Sequence, residues 1–288
     1  MLLTLTASCV RSLLIPGGRG KKVAPKIDLL DLPVFVREQL SLSGINLSTD
    51  LLVGADRTRL ETVRERADRA SCACLLLIEN EPQPLGGDES AGAGAAQRLG
   101  RVVEAAHILG CSAVAVRVVA ADEDSAVGRI AARLKPVMER AEKLDMNLLI
   151  APHAGLTERP ERVTELLKKI GGFRVGTFPD FEAASRAKDP NTYLHRLTPY
   201  ATVVSASTFE FVPAGKKEVE ASVDAFRSGA WVHKPYDLAG CVNAIRAVGY
   251  DGPLGIDYRG SGDVTMGVRL SRDALLAALG GEDMFEEP

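Results

Sequence analysis

Residues 113–151 read AVAVRVVAADEDSAVGRIAARLKPVMERAEKLDMNLLIA, and this stretch decides the fold. Its two ends, Ala113–Val119 and Asn147–Ala151, are short and almost wholly apolar. Runs apolar on both parities suit parallel strands covered on both faces. Between them Val127, Ile130, Leu134, Val137 and Ala141 recur at helical spacing and form one apolar stripe. Strand, helix and strand in that order predict a βαβ unit.

The same alternation runs outward in both directions. Strands are expected at Leu2–Thr6, Gly44–Ser48, Ala73–Ile78, Phe173–Thr177, Ala201–Ala206 and Pro253–Tyr258. Leu60, Val63, Ala67 and Ala70 make a helical stripe behind Asp56, a suitable N-cap. Val163, Leu166, Leu167 and Ile170 make another; Thr157 precedes it, Pro160 suits its first turn and Gly171 its C′ position. Asp237 opens a further helix through Leu238, Val242 and Ile245, and Leu270 to Leu279 closes the chain. About eight strands and as many helices in 288 residues predict a single (β/α)8 TIM barrel spanning 1–288. An open doubly wound sheet is the alternative.

Composition narrows the functions. Hydrophobic residues at 46% and charged residues at 25% are those of a soluble globular chain. A net charge of −3, a pI near 5.9 and 5% aromatics argue against a nucleic-acid surface. Five scattered cysteines, Cys9, Cys72, Cys74, Cys111 and Cys241, fit a reducing, cytoplasmic setting better than a disulfide framework. Cys72 and Cys74 share one face of a strand and read as packing thiols. The apolar opening carries its positive charges after the apolar part, so it reads as a first strand and not as a leader. No apolar run is long enough to predict a membrane span. The segment ENEPQPLGGDESAGAGA (79–95) reads as a long polar loop with neither a dinucleotide fingerprint nor a Walker lysine.

In a parallel barrel, chemistry sits at the C-terminal ends of the strands. The tips carry Glu79 and Asn80, Arg117, Pro152 and His153, Pro179 and Asp180, Ser205 to Ser207, and Asp257 to Arg259 before Gly260-Ser261-Gly262. Each also has a purely structural reading: His153 as a loop histidine, Asp180 as the cap of a helix starting near Glu182, Asp257 as a turn residue. Arg117 lies among valines and must meet a carboxylate or a ligand. Arg259 stands where barrels often bind phosphate. His233 with Lys234 reads as a solvated loop, His107 as late in a helix and His195 as part of a polar connection.

At the eighth strand AVGYDGPLGIDYRGSGD (247–263) resembles the closing G-Y-D-G-P-L-S-I-E-Y-x-G of the sugar phosphate isomerase/epimerase family, the xylose isomerase-like TIM barrels. RVGTFPDFEAA (174–184) is similar to its sixth-strand G-T-x-P-D-F-G-N, and NLLIAPHAG (147–155) to its fifth-strand L-x-L-E-N-H-G-G. The resemblance implies a divalent metal, Mn, Mg, Co or Zn, held by two glutamates, an aspartate and a histidine. It places these at Ala151, Asp180, Ser205 and Asp257, so the strand-five glutamate and strand-seven histidine are absent and the strand-eight glutamate is an aspartate. Asp180 and Asp257 remain as candidate metal ligands. His153 matches a neighbouring family histidine.

Two functions are expected from this. One is an isomerase, epimerase or lyase acting on a sugar or related polyhydroxy compound. Its catalytic residues would be His153, Asp180 and Asp257, with Glu79, Arg117, Ser205 and Arg259 binding substrate. The other is a non-catalytic barrel that binds a sugar or serves as a partner subunit. A small sugar-like ligand is expected in either case, with neither nucleic acid nor membrane as partner, and a homodimer is open. Nucleic-acid repair, known among endonuclease IV-type relatives, needs several histidines; the chain has four, one of them on a family motif.

Overall fold

The computed structural model describes residues 1–15, 25–213 and 231–280. Eight parallel strands form one sheet: β1 (Leu3–Thr6), β2 (Gly44–Ser48), β3 (Ala73–Ile78), β4 (Ala113–Arg117), β5 (Asn147–Ala151), β6 (Val175–Thr177), β7 (Val204–Thr208) and β10 (Leu254–Tyr258). A short antiparallel pair, β8 (Phe211–Pro213) with β9 (Trp231–His233), stands in the chain before the last of them. The strand order is β6-β5-β4-β3-β2-β1-β10-β7. The seam from β6 to β7 is bridged at Thr177–Ala201 and Asp180–Ser205, which closes the circle into a TIM barrel.

The period of two along each strand sorts the side chains. Leu3 and Leu5, Val114 and Val116, Leu148 and Ile150, and Leu254 and Ile256 face the helices and join the main apolar core. The other parity faces the barrel interior, which is divided. On the β3–β6 side it holds Leu76, Ala113, Ala115, Leu149, Ala151 and Phe178 as a separate apolar cluster. On the β1–β2 side it holds buried Thr4, Thr6, Asn46 and Ser48. Asn46 Nδ2 donates to Thr4 Oγ1 at 3.1 Å. Arg117 follows Ala113 and Ala115 on the inward parity, and Arg259 follows Asp257, so both side chains leave their strands toward the C-terminal mouth.

Aspartates start many of the outer helices. The side chains of Asp56, Asp88, Asp180, Asp189, Asp237 and Asp263 each accept a backbone N–H of the following turn. Pro160 occupies the first turn of the helix Pro160–Ile170, and Gly171 ends it at φ 72°.

The segment expected as a loop to residue 95 becomes helical much earlier. Asp88 caps a helix running Glu89–Ile108, so the Gly-Ala repeat lies in its first turns. A Cβ at Gly92 would meet Arg133 within 2.4 Å. Arg133 crosses there to donate to the carbonyls of Leu85 and Gly87, each at 2.8 Å. The glycine marks a close approach and not a break. His195 lies in the helix Pro190–Leu197 instead of a connection.

Candidate functional site

The C-terminal ends of the strands surround a cavity of about 760 Å3. Its walls bring together His153, Asp180, Asp257, Arg117, Ser205 and Arg259. Glu79, the remaining candidate, is not on the wall. It is fully buried, and its two oxygens accept from Arg98 Nε at 2.8 Å and Nη2 at 2.9 Å. Arg98 comes from the helix whose start the sequence hid, so this partner was not visible in the strand pattern.

The β6–β10 side of the mouth is a closed network around Arg259. Its Nη2 donates to Asp180 Oδ2 and Asp257 Oδ2, each at 2.7 Å. Its Nε donates to Asp257 Oδ2 at 2.9 Å and its Nη1 to Asp180 Oδ1 at 3.3 Å. A further bond runs from Nη1 to Glu182 Oε2. A guanidinium has five N–H donors, and here all five meet carboxylate oxygens. Asp180 is also the helix cap anticipated from sequence: its Oδ1 accepts from Ala183 N–H at 3.0 Å and from Ser207 Oγ at 3.3 Å. Burial, reinforced by the charges of Asp180 and Glu182, raises the Asp257 carboxyl above its ordinary range in spite of Arg259.

The loop after Arg259 is built to place it. Arg259 N–H donates to Thr208 O at 2.7 Å, and Tyr258 Oη to Ser261 O at 2.8 Å. A Cβ on Gly260 would come within 2.6 Å of both Tyr258 Oη and Phe209 O. The glycine therefore serves the tight packing of this turn.

The β4–β5 side differs. Arg117 lies level with Ala151 in the sheet register. Its Nη2 donates to the carbonyl of Asn80, and among the described residues no carboxylate pairs with it. His153 stands beside it. Partial burial, and then the charge of Arg117, lower the imidazole pKa below its ordinary value, which keeps the ring neutral near pH 7. Ser205 is buried on the wall, its backbone N–H donating to Pro179 O at 2.8 Å.

Several wall residues escaped sequence reasoning: Cys9, Glu158 and Glu182 among them. Glu182 carried a signal, since it lies two residues beyond Asp180 in a helix that starts at the mouth. Its backbone N–H donates to Ser207 Oγ at 2.8 Å. Cys9 is pushed well up by burial and by Asp257, so it stands there as a neutral thiol.

His233 is not in a solvated loop. It is buried, its Nε2 accepts from Phe209 N–H at 3.1 Å, and its Nδ1 lies 3.1 Å from Tyr236 O. Its ring meets that of Tyr236 edge-on at 4.6 Å. Lys234, grouped with it at the sequence level, also has an interaction partner.

A closed eight-stranded β/α barrel with ionisable groups gathered at its C-terminal mouth defines the TIM-barrel class. Within that class the chain belongs to the xylose isomerase-like TIM-barrel family, whose model matches residues 41–278. No curated protein matches the chain. Among solved structures it is similar to an L-ribulose 3-epimerase, at 14% identity over 98% of this chain and 95% of that one, with a TM-score of 0.74. It is also similar to the apo form of 3-keto-D-glucoside 4-epimerase from E. coli, at 13% identity over 96% and 99% of the two chains, with a TM-score of 0.70. The IOLI protein with a binding zinc atom is 11% identical over 99% and 100% of the two chains, with a TM-score of 0.70. At such identities the likeness shows the fold. Among the described residues no helix is long and apolar enough to cross a membrane, and no group of three or more His, Cys, Asp or Glu side chains is placed to hold a metal ion.

Proposed function

We propose that the protein binds a sugar or related polyhydroxy compound bearing an anionic group in the barrel mouth, with Arg117 as the anion's partner. The carrying observation is Arg117 itself. It is a half-buried cation on an inward strand position, beside a neutral histidine, with no carboxylate paired to it among the described residues. Removing a guanidinium from water without a counter-charge is costly, and a ligand carboxylate or phosphate offsets that cost with charge-assisted hydrogen bonds. Ser205, Asn80 and the Asp257 carboxylate line the same cavity and suit ligand hydroxyls. Arg259 has no donor left for an anion, and Glu79 is spent on Arg98.

The divalent metal implied by the family does not fit this donor set. Ala151 has no ligating atom, Ser205 offers a hydroxyl, and Asp180 and Asp257 are turned onto a guanidinium. No step of the proposed function runs through a metal.

Calorimetric titration with a sugar acid, a sugar phosphate and a neutral ketose of similar size tests the proposal. The anionic compounds bind, the neutral ketose binds at least about tenfold more weakly, and Arg117→Ala removes the difference. Absence of binding by all three, or a preference that survives Arg117→Ala, overturns it.

His153 favours a second, enzymatic reading, that of an isomerase or epimerase. A neutral imidazole at the mouth is able to take a proton from the carbon beside a carbonyl. The C–H electron pair then moves onto the carbonyl oxygen, where the Arg117 N–H groups stabilise the charge. Protonation of the same carbon from the opposite face, by solvent, completes an epimerisation. Return of the proton to the former carbonyl carbon, with the hydroxyl proton of the neighbouring carbon passing to the former carbonyl oxygen, completes an isomerisation. In deuterated water the bound ketose then exchanges its α-hydrogen, and His153→Asn stops the exchange. Binding without exchange leaves the sugar-binding barrel.

A further inference from the structure

The acidic wall of the mouth contains a built cation. Asp180 lies just beyond β6, Asp257 is on β10, and Glu182 is in the first turn of the helix Phe181–Arg186. All three carboxylates converge on the Arg259 guanidinium, and their side chains are nearly buried. Three negative charges this close repel strongly in a poorly solvated pocket unless a positive centre stands among them. Nη2 of Arg259 supplies it, 2.7 Å from one oxygen of Asp180 and 2.7 Å from one of Asp257. One cationic group thus bridges two carboxylates.

We infer that Arg259 is the resident cation of this barrel: its guanidinium fills the position between Asp180 and Asp257 and excludes divalent metal from the mouth while it is in place. Two independent features carry this. The first is saturation, because all five donors of Arg259 are used on carboxylates and none is left over. The second is placement. The backbone N–H of Arg259 is fixed to β7 at Thr208, and Gly260 lets the turn pack under Tyr258, so the side chain starts from a fixed point above the acidic tips. A covalently tethered cation has no dissociation equilibrium, so the mouth keeps its positive centre under chelating conditions. It also lacks open coordination positions, so ligand oxygens are met by hydrogen bonds instead of by metal coordination. The inference rests on the metal-free reading of the mouth but not on the identity of the ligand.

Titration of the full chain with Mn2+ alone tests it, following free Mn2+ by electron paramagnetic resonance and folding by thermal melting. The wild type shows no saturable site up to about millimolar Mn2+. Arg259→Ala leaves the three carboxylates facing one another. It melts lower, then gains one Mn2+ site per chain at least about tenfold tighter than any in the wild type, and its melting temperature climbs as Mn2+ is added. Adding Asp257→Asn to Arg259→Ala abolishes the new site. Should Arg259→Ala fail to fold, Arg259→Gln keeps much of the volume without the charge and is read in the same way. Stoichiometric Mn2+ on the wild type, or a folded Arg259 variant with no Mn2+ site, overturns the inference. Sugar binding is not measured here, so failure of the ligand proposal leaves a distinct signature.

Discussion

Arg117 and Arg259 begin from equivalent positions and end in opposite states. Each lies at or just past the C-terminal end of a barrel strand, on the inward parity, and each enters the same cavity. Arg259 meets three carboxylates, whereas Arg117 meets one backbone carbonyl. The difference comes from the neighbouring tips. β6, β7 and β10 adjoin one another around the closed seam and bring acids together, while β4 and β5 end in Asn80-facing and histidine-bearing turns. One side of the mouth is internally neutralised and the other is left for a ligand. An arginine's role is therefore set by which strands adjoin it, and the arginine codon alone does not reveal that.

The largest expected effect lies outside the mouth and serves as its control. Arg98→Ala removes the cation from the fully buried Glu79 carboxylate, which keeps only the Thr49 hydroxyl and the Glu81 N–H, and leaving a buried charge uncompensated in this way costs about 3 kcal/mol. Urea denaturation should show that loss, while ligand affinity stays at the wild-type value. If affinity falls with stability, Glu79 belongs to the ligand site after all and the division of the mouth has been drawn in the wrong place.

Arg259→Ala comes next, at about 2 kcal/mol of stability. The figure is lower than for Arg98 because Asp180, Glu182 and Asp257 border the cavity and each keeps some exposure, so solvent screens the charges left behind, whereas Glu79 is fully buried. Arg117→Ala reverses the pattern. It should change stability by less than about 0.5 kcal/mol yet weaken an anionic sugar by about 2 kcal/mol, the scale of a charged hydrogen-bonded contact. Equal stability losses for the two variants would erase the distinction between a closed and an open arginine.

Much of this was legible before any coordinates. β2, β3 and β5 have the bounds that periodicity sets, and Asp56 and Asp237 are caps as read. These features depend on residues a few positions apart. What stayed hidden depends on partners far along the chain. Arg259 finds Asp180 and Glu182 at separations of 79 and 77 residues, and His233 finds Phe209 at 24. The helix from Glu89 was masked by its glycines, of which Gly92 has its reason in the Arg133 side chain lying against it. The strand tips could be named as candidates because barrel geometry sends tips to one mouth, but their pairing is a property of the closed sheet.

The smallest effect is the most specific to the open side. His153 and His233 both have imidazole pKa values lowered chiefly by burial. Above pH about 6.5 both are neutral, folded or unfolded, and the full stability is present. Below it the unfolded chain takes up protons first, so stability declines as the pH falls toward the folded values. Anion affinity should move the other way, because a proton on His153 adds positive charge next to Arg117. Arg117 is itself the second cause of the lowered His153 value, so Arg117→Ala should raise it. A proton NMR titration of the imidazoles reads this directly: the His153 resonance moves to higher pKa in Arg117→Ala while that of His233, held by Phe209 and Tyr236, stays where it was. A His153 titration indifferent to Arg117 would mean that the two side chains do not share one electrostatic environment, and the anion site would lose its second wall.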